Sequence, residues 1–215
     1  MLLLLLLLLC IFTEMFVKMK AVIIFDHPYG IQASENELHN RSFSAAIYKR
    51  VKETIEAQNG EVDLIDLRAD NFNPVMSKED LVAWRIKPFV DKLTDNYFQR
   101  LATADKIIFI FPIWWESMPA STKGFLDKVL AKGRLKSGDL AKLQRKNPAV
   151  YVMTVSGTPT IIYRVWYGNP IVKIMKRGTF NKIGLKKFRW INFNAEECKL
   201  AGRIKLLDTI PNKLK

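Results

Sequence analysis

The sequence predicts an α/β domain built on a five-stranded parallel sheet with helices on both faces. Two observations support this prediction. Short apolar runs rich in Val, Ile and Phe recur along the chain, and segments with helical spacing separate them. Strands that alternate with helices pair in parallel and are joined by right-handed crossovers. The 215 residues are enough for one domain with a substantial core.

The predicted elements follow from the apolar pattern and from the residues that start and stop helices. The first strand, Lys20–Phe25, is continuously apolar, which is typical of a strand buried on both faces. Ser42 is a favourable N-cap for the first helix, which Asn59-Gly60 ends, and Ser77 with Asp80 resembles a capping box. The other predicted elements are a strand within 61–68, a helix at 89–102, a strand at 106–111, a helix from 120 to 129 or 130, strands at 148–155 and 188–193, and a closing helix over 195–210.

The chain is strongly basic, with Lys+Arg 34 against Asp+Glu 21 and a net charge of +13. Such a surface attracts nucleotides, nucleic acid or acidic membranes, but a merely solvated basic face is an equally good interpretation. No aromatic–basic motif of a nucleic-acid reader is present, so no nucleic-acid partner is predicted. Cys10 and Cys198 form no CxxC, which excludes a disulfide framework and a zinc site. We therefore predict a cytoplasmic protein without a metal.

The amino terminus, MLLLLLLLLCIFTEMFVK, is apolar but too short to span a bilayer. It lacks the basic start and small-residue cleavage site of a signal peptide. We predict that residues 1–18 are an extension and that residues 19–215 form the working domain, with Met19 as its starting residue. Membrane contact through the extension is possible on this pattern but is not favoured, and the role of the extension stays open.

Residues at the carboxyl ends of the strands are the candidate site, because ligands of open parallel sheets bind there. After the first strand, Arg41 and the hydroxyls of Ser42 and Ser44 stand at a helix start, where free N–H groups and the helix dipole favour a phosphate. A simple helix cap is the competing interpretation. Both GxGxxG and GxxxxGK[ST] are absent, which argues against the common dinucleotide and ATP sites.

Two further loops reach the same edge of the predicted sheet. Pro112 ends the third strand, and Trp114 and Trp115 offer flat faces for a planar ring, although core packing or a subunit interface would also explain them. The segment 154–159 after the fourth strand is rich in hydroxyls and could contact the polar edge of a heterocycle. A phosphate-binding helix start, a pair of flat aromatic side chains and a polar loop together indicate a mononucleotide with a flat ring, and so a flavin.

The order HP…SF, then FPIWWESMPA..KG.LD.V, then T.SG resembles the flavodoxin-like NAD(P)H:quinone oxidoreductase family, over residues from about Lys20 to the carboxyl terminus. The resemblance implies a flavodoxin-like three-layer sandwich with strand order 2-1-3-4-5, FMN or FAD as cofactor, NAD(P)H as cosubstrate, a quinone-like acceptor and a homodimer. It also implies a catalytic role for Tyr163. The cofactor-binding residues that it implies are His27, Ser42, Phe43, Ser44, Pro112, Ile113, Trp114, Trp115, Thr154, Ser156 and Gly157, to which Arg41 is added because of its place at the helix start.

The sequence departs from the family pattern at two of these residues and at Glu116. Ser44 stands where Asn is usual, Ser156 replaces the first glycine of the loop, and Glu116 stands where an aromatic residue is common, which predicts a more polar substrate slot. The loop over 29–41 is longer than in compact members, and its Asn36, His39, Asn40 and Arg41 are candidates for added contacts.

The predicted function is a flavin-dependent oxidoreductase that transfers a hydride from NAD(P)H to a quinone or similar acceptor. A flavodoxin-type electron carrier is one alternative, although such carriers are acidic and this chain is not. An ancillary flavoprotein subunit of a membrane transporter is another, suggested by the apolar amino terminus and the basic surface. The sequence leaves FMN and FAD, NADH and NADPH, and the physiological acceptor undecided.

Overall fold

A computed structural model of the protein describes residues 18–35 and 41–215. Its five strands form one sheet of order β2-β1-β3-β4-β5, and every neighbouring pair is parallel. The predicted fold class and strand order are therefore confirmed. The strands are β1 (Lys20–Phe25), β2 (Glu61–Asp66), β3 (Lys106–Pro112), β4 (Ala149–Val155) and β5 (Phe188–Phe193).

Helices cover both faces of the sheet and give the molecule three layers. One core contains side chains from β1, β3 and β4 together with Phe98, Phe125 and Met175, and the other joins the opposite sheet face to Val51, Ile55 and Ile210. The helices are α1 (Phe43–Ala57), α2 (Lys78–Ile86), α3 (Lys92–Ala102), α4 (Ala120–Val129), α5 (Lys132–Ser137), α6 (Leu140–Lys146), α7 (Thr160–Val165), a π-helix (Val172–Phe180), α8 (Leu200–Asp208) and α9 (Ile210–Lys213).

Side-chain caps fix where the first three helices begin. The Ser42 hydroxyl accepts a hydrogen bond from the Ala45 N–H, and Ser77 and Asp80 exchange the two bonds of a capping box, as predicted. The predicted start of the next helix at Phe89 was wrong. Asp91 and Thr94 form a second capping box, so α3 begins at Lys92.

The closing helix is shorter than predicted. Residues 195–199 form a turn, α8 begins at Leu200, and none of the residues of α8 is buried. The Arg203 side chain donates to the carbonyls of Ala195 and Glu196, which satisfies that turn outside a helix. The apolar spacing that predicted a helix from residue 195 therefore marks a partly exposed surface rather than a core face.

The register of the sheet places the loops that follow β1, β3, β4 and β5 at one edge. Phe25 at the end of β1 pairs with Ile110, and Pro112 at the end of β3 pairs with Val155 at the end of β4, which in turn pairs with Phe193. The predicted extension up to residue 17, Cys10, and the loop residues Asn36, His39 and Asn40 lie outside the described residues. In the part that is described, no helix is both long enough and apolar enough to cross a bilayer.

Candidate functional site

A cleft of about 210 Å³ opens at the carboxyl edge of the sheet, between the start of α1 and the loops that follow β1, β3 and β5. It brings together more than half of the predicted binding residues. Those that line it are His27, Arg41, Ser42, Phe43, Ser44, Pro112 and Trp114, and they are joined by Val155, Ala195, Glu196 and Arg203.

The start of α1 presents free hydrogen-bond donors to this cleft. The Ala45 N–H is capped by the Ser42 hydroxyl and the Ala46 N–H donates to the Ser42 carbonyl, but the N–H groups of Phe43 and Ser44 have no acceptor among the described residues. The Ser42 hydroxyl accepts the cap bond and can still donate its own proton. The Ser42 hydroxyl can therefore cap the helix and also help to bind an anion. The dipole of the 15-residue helix α1 favours a negative charge at the same place.

His27 follows β1 and is held in a defined tautomer. The Tyr29 N–H donates to its Nδ1 over 3.2 Å, so in the neutral ring Nε2 carries the proton. Burial lowers the pKa of His27 below its ordinary value of 6.5. A neutral imidazole with a free N–H is a donor that suits a phosphate oxygen without requiring a charge.

A second groove, of about 570 Å³, continues from the first cleft between α1 and α8. The two share Arg41, Ser42, Phe43 and Arg203, so two guanidinium groups stand at their junction. The larger groove is otherwise lined by Ala33, Ser34, Ala46, Cys198, Lys199, Leu200, Ile204 and Leu207. Its walls combine apolar and polar side chains, and two arginines lie where it meets the smaller cleft, which fits a ligand that carries both phosphate and a further ring.

The Trp pair lies in a tight hairpin. Trp114 and Ser117 exchange two backbone hydrogen bonds of 3.0 Å each, and the central residues Trp115 and Glu116 have φ values of 49° and 57°. Such a two-residue turn normally uses Asn-Gly, because a positive φ costs other residues about 1–2 kcal/mol each. Trp114 lines the cleft, but Trp115 is 100% exposed at the tip and does not line it.

Tyr163 and Glu116 fasten this hairpin to the loop after β4. The hydroxyl of Tyr163, which is wholly buried, donates to the Glu116 carbonyl over 2.8 Å, and the Thr158 hydroxyl donates to Glu116 Oε1 over 2.9 Å. Burial raises the pKa of Tyr163 well above its ordinary value. Within the described residues, Glu116 Oε2 is buried without a partner. Tyr163 thus positions the hairpin, and the catalytic role predicted for it stays a prediction.

The polar loop after β4 is held by residues that the sequence reasoning did not single out. The buried Thr154 hydroxyl donates to Asn192 Oδ1 and accepts from Trp190 Nε1, so it points into the interior and is not free for a ligand. The Ser156 hydroxyl donates to the Thr158 carbonyl and accepts from Asn192. Both hydroxyls thus shape the loop, and the contacts predicted from them to a ring edge stay a prediction.

Two other residues hold this loop. Asn194 bonds the Thr158 carbonyl and also accepts from the backbone and hydroxyl of Thr160 at the start of α7. Gly157 lies so close to Glu196 that a Cβ there would be 2.4 Å from Glu196 Oε2. Ile113 is buried beside Val155, to whose carbonyl its N–H donates. This backbone is therefore held by the amides of Asn192 and Asn194.

Sequence reasoning missed Arg203, Glu196, Asn192 and Asn194. All four follow from the criterion already used for the other loops, since they lie in or shortly after the fifth apolar run. Glu196 and Arg203 were missed because residues from 195 onward were predicted as a helix, and Asn192 and Asn194 because the loop after the fifth strand was not among the candidate loops. In the described part of the chain, no group of three or more His, Cys, Asp or Glu side chains is arranged to hold a metal ion.

Comparison with known proteins gives a consistent result. A family model described as flavodoxin-like fold matches residues 19–204. An uncharacterized NAD(P)H oxidoreductase of Haemophilus influenzae is 26% identical over 193 residues, which cover 88% of this chain and 87% of the relative. The NAD(P)H oxidoreductase YcaK of Escherichia coli is 36% identical over 107 residues, 47% of this chain, and the match spans only 52% of that relative.

Among solved structures, an NAD(P)H:quinone oxidoreductase from Methanothermobacter marburgensis superposes with a TM-score of 0.71 at 18% identity. The superposition covers 91% of this chain and 97% of that one. At this level of identity the likeness is one of fold.

Proposed function

Because this chain belongs to the flavodoxin-like family of NAD(P)H:quinone oxidoreductases, we propose that it binds a flavin nucleotide at the carboxyl edge of its sheet and reduces quinone-like acceptors with NAD(P)H. The observation that carries the proposal is the donor set at the start of α1. Two unpaired backbone N–H groups, of Phe43 and Ser44, face the same cleft as a protonated His27 Nε2 and the Arg41 guanidinium. The side chains of Pro112 and Trp114 line the cleft beside these donors.

The residues of this chain bind and orient the cofactor and exclude water from it. The α1 N–H groups, His27 and Arg41 would hold the phosphate, and Pro112 with Trp114 would bound one side of the ring system. Glu116, Thr158 and Tyr163 hold the hairpin against the loop after β4, so this side of the cleft does not move when a ligand enters. A bound flavin supplies the hydride transfer between NAD(P)H and the acceptor. No nucleophile or metal from the protein is needed for that chemistry.

FAD is the flavin that the two grooves favour. The smaller cleft contains the proposed phosphate site, and the larger groove begins at that site and runs along α8. An adenylate half placed there would meet apolar side chains of Leu200, Ile204 and Leu207, and its phosphate would lie between Arg41 and Arg203. Two guanidinium groups are well suited to a diphosphate.

A homodimer would cover the exposed apolar side chains beside the cleft. We define the tip patch as Trp115, Ile161 and Val165, which are 100%, 68% and 75% exposed. The Tyr163–Glu116 bond places the hairpin next to α7, and Ile161 and Val165 share one face of that helix. Large apolar side chains grouped at the surface mark an interaction site, and a two-fold dimer is the commonest assembly that buries one.

The net charge of +13 favours an enzyme that uses an anionic cosubstrate over a flavodoxin-type carrier. The charge draws NAD(P)H toward the protein, and added salt should slow that association. A carrier would not oxidise NAD(P)H by itself.

Flavin binding and turnover of the full-length protein test the proposal. We expect a yellow protein, or an apo-protein that becomes yellow with FMN or FAD, and steady-state NAD(P)H oxidation with menadione. Replacing His27 or Arg41 with Ala should weaken flavin binding about 10-fold, because a hydrogen bond to a charged phosphate is lost. Arg145→Ala, at an exposed arginine of α6, is the control. A protein that stays colourless with an excess of both flavins would overturn the proposal.

The choice of flavin has a separate test. Ile204→Asp places a negative charge in the larger groove and does not touch the smaller cleft. It should weaken FAD binding about 10-fold and leave FMN binding unchanged, as isothermal titration would show. Equal affinity of the wild-type protein for FMN and FAD would assign the larger groove to another ligand.

A further inference from the structure

The segment 140–195 has an unusual charge pattern. It contains eleven Lys or Arg residues and no Asp or Glu, whereas the chain as a whole has Asp+Glu 21. The nearest acidic residues in sequence are Asp139 and Glu196, just outside it. A solvated surface normally mixes both signs, so this segment concentrates most of the excess positive charge of the protein.

The structure separates this segment into an inner and an outer side. Ile171, Met175, Phe180, Ile183 and Leu185 are buried in the core beneath the π-helix and the turn that follows it. The cations between them point away from that core. We define the basic face as Lys173, Lys176, Arg177, Lys182, Lys186 and Lys187, of which all but the half-buried Lys176 are exposed.

No carboxylate neutralises these cations. None of the six forms an ion pair with any residue in 18–35 or 41–215, whereas Lys146, at the edge of the same segment, is paired with Asp105. Like charges that lie together on a helix and the following turn repel one another, which costs stability. An anionic partner that covers the face would remove this repulsion.

The side chains at the border of the face favour a lipid surface over nucleic acid. Trp166 is 82% exposed, and its i−4 neighbour Ile162 is also exposed. The ammonium of Lys173 lies against the turn that follows Trp166, since a Cβ on Gly168 would be 2.7 Å from Lys173 Nζ. A Trp and an aliphatic side chain beside a lysine-rich face are typical of proteins that lie in the headgroup region of a bilayer. Nucleic-acid surfaces also use lysines, but they rely more on arginine forks and on several aromatic rings that stack on bases, and this face has one arginine and one such ring.

We propose that the basic face, together with Trp166 and Ile162, docks the protein onto an anionic lipid bilayer. The cations meet the lipid phosphates and carboxylates, and Trp166 enters the headgroup layer. Each lysine or arginine near an anionic bilayer contributes about a fivefold gain in partition coefficient. Six such cations and one aromatic anchor are enough for reversible binding without a spanning helix. This docking requires neither the flavin nor the redox reaction.

Sedimentation of the full-length protein with vesicles tests the docking. We expect binding to vesicles of phosphatidylcholine with about 30% phosphatidylserine, which resembles an anionic leaflet, and little binding to phosphatidylcholine alone. Reversing three cations in Lys173→Glu/Lys182→Glu/Lys186→Glu should lower the partition coefficient by roughly 100-fold or more. Trp166→Ala should lower it several-fold, and this loss should persist in high salt, because salt screens charges but not apolar contacts.

A matched variant with the same change in net charge separates local docking from general attraction. Lys78→Glu/Arg85→Glu/Lys92→Glu alters exposed cations of α2 and α3, on the β2 side of the sheet, where Arg100 of α3 bonds Asp63. At physiological salt, charges more than about 8 Å from the bilayer are largely screened, so this control should retain binding within about threefold. Equal losses in the two triple variants would overturn the proposal.

Two other outcomes would also overturn it. Tighter binding to a duplex DNA than to the anionic vesicles, lost in the Lys173/Lys182/Lys186 variant, would assign the face to nucleic acid. A Trp166→Ala protein that changes its oligomeric state but not its lipid binding would assign Trp166 to a subunit contact. Flavin content and NAD(P)H oxidation, measured on the same samples, test the enzymatic proposal separately, because both are expected to survive the loss of lipid binding.

Discussion

At the residue scale, His27 shows how a local contact prepares a side chain for a ligand. Its Nδ1 accepts from the Tyr29 N–H, and its ring packs edge-on against that of Tyr29 with centroids 5.3 Å apart. These contacts partly bury the ring and fix the tautomer that leaves Nε2–H free. The sequence showed only that a His follows a buried strand.

The lowered pKa of His27 leads to a prediction about pH. The folded state disfavours the imidazolium, whereas the unfolded chain takes up the proton as the pH falls through about 6.5, so acid should favour unfolding through this group. The contribution of the neutral ring is complete above that pH and is lost below it. His27→Gln should therefore flatten the fall in the free energy of unfolding between about pH 7 and pH 5, as urea titrations of the apo-protein would show.

The other histidine of the chain, His39, gives the matched control for this titration. His39→Gln should leave the part of the pH dependence that belongs to His27 in place. Adding a flavin nucleotide should raise the pKa of His27, since a phosphate stabilises the imidazolium, and NMR of the ring protons would detect it. A pH profile unchanged by His27→Gln would mean that burial does not perturb this ring.

At the scale of secondary-structure elements, close approach between α4 and the loop after β2 sets the position of the Trp hairpin. A Cβ on Gly124 would be 2.4 Å from Pro74 Cβ and 2.6 Å from its carbonyl oxygen. Sequence reasoning expected this glycine to allow α4 to approach the sheet, but the neighbour that it accommodates is the loop. The hairpin leads directly into α4, so a shift of this helix would move Trp114.

Gly124→Ala should therefore destabilise the protein by about 2–3 kcal/mol through overpacking against Pro74. Gly202→Ala is the control, because Gly202 lies in α8 with its nearest neighbour at an ordinary 3.5 Å. There the better helix propensity of alanine should stabilise the fold by up to about 1 kcal/mol. Urea denaturation measures both, and a Gly124→Ala protein as stable as the wild type would show that the loop yields without cost.

The sequence predicted the strands well and the site in part, for identifiable reasons. Apolar runs such as Phe188–Phe193 indicate buried strands directly, and capping residues such as Ser42 indicate where helices begin. The Thr154 hydroxyl points inward because it bonds Asn192, which is 38 residues away in the sequence. A local sequence pattern cannot predict such a distant partner. Helix α7 and the π-helix were missed because Tyr163 and Met175 pack on a layer that only the folded sheet defines.

At the scale of the whole molecule, the described surface divides into functionally different regions. The carboxyl edge of the sheet holds the cleft, the tip patch of Trp115, Ile161 and Val165 stands beside it, and the basic face lies over the π-helix. The sequence associated membrane contact with residues 1–18 and with a basic surface whose place in the fold it did not show. The proposed lipid contact involves a different surface, which leaves the cleft and the tip patch free for a flavin and a second subunit.

The tip patch predicts how the protein associates in solution. Val165→Asp should convert a homodimer into a monomer at micromolar concentration, because a carboxylate would be desolvated at the centre of the interface. Sedimentation equilibrium measures the change, and retained flavin content would show that the monomer is folded. Ile86→Asp, on the exposed apolar side of α2, is the control, since Ile86 is 70% exposed but lies outside the tip patch. If Ile86→Asp rather than Val165→Asp separates the subunits, the interface lies on α2 and Trp115 faces solvent in the dimer as well.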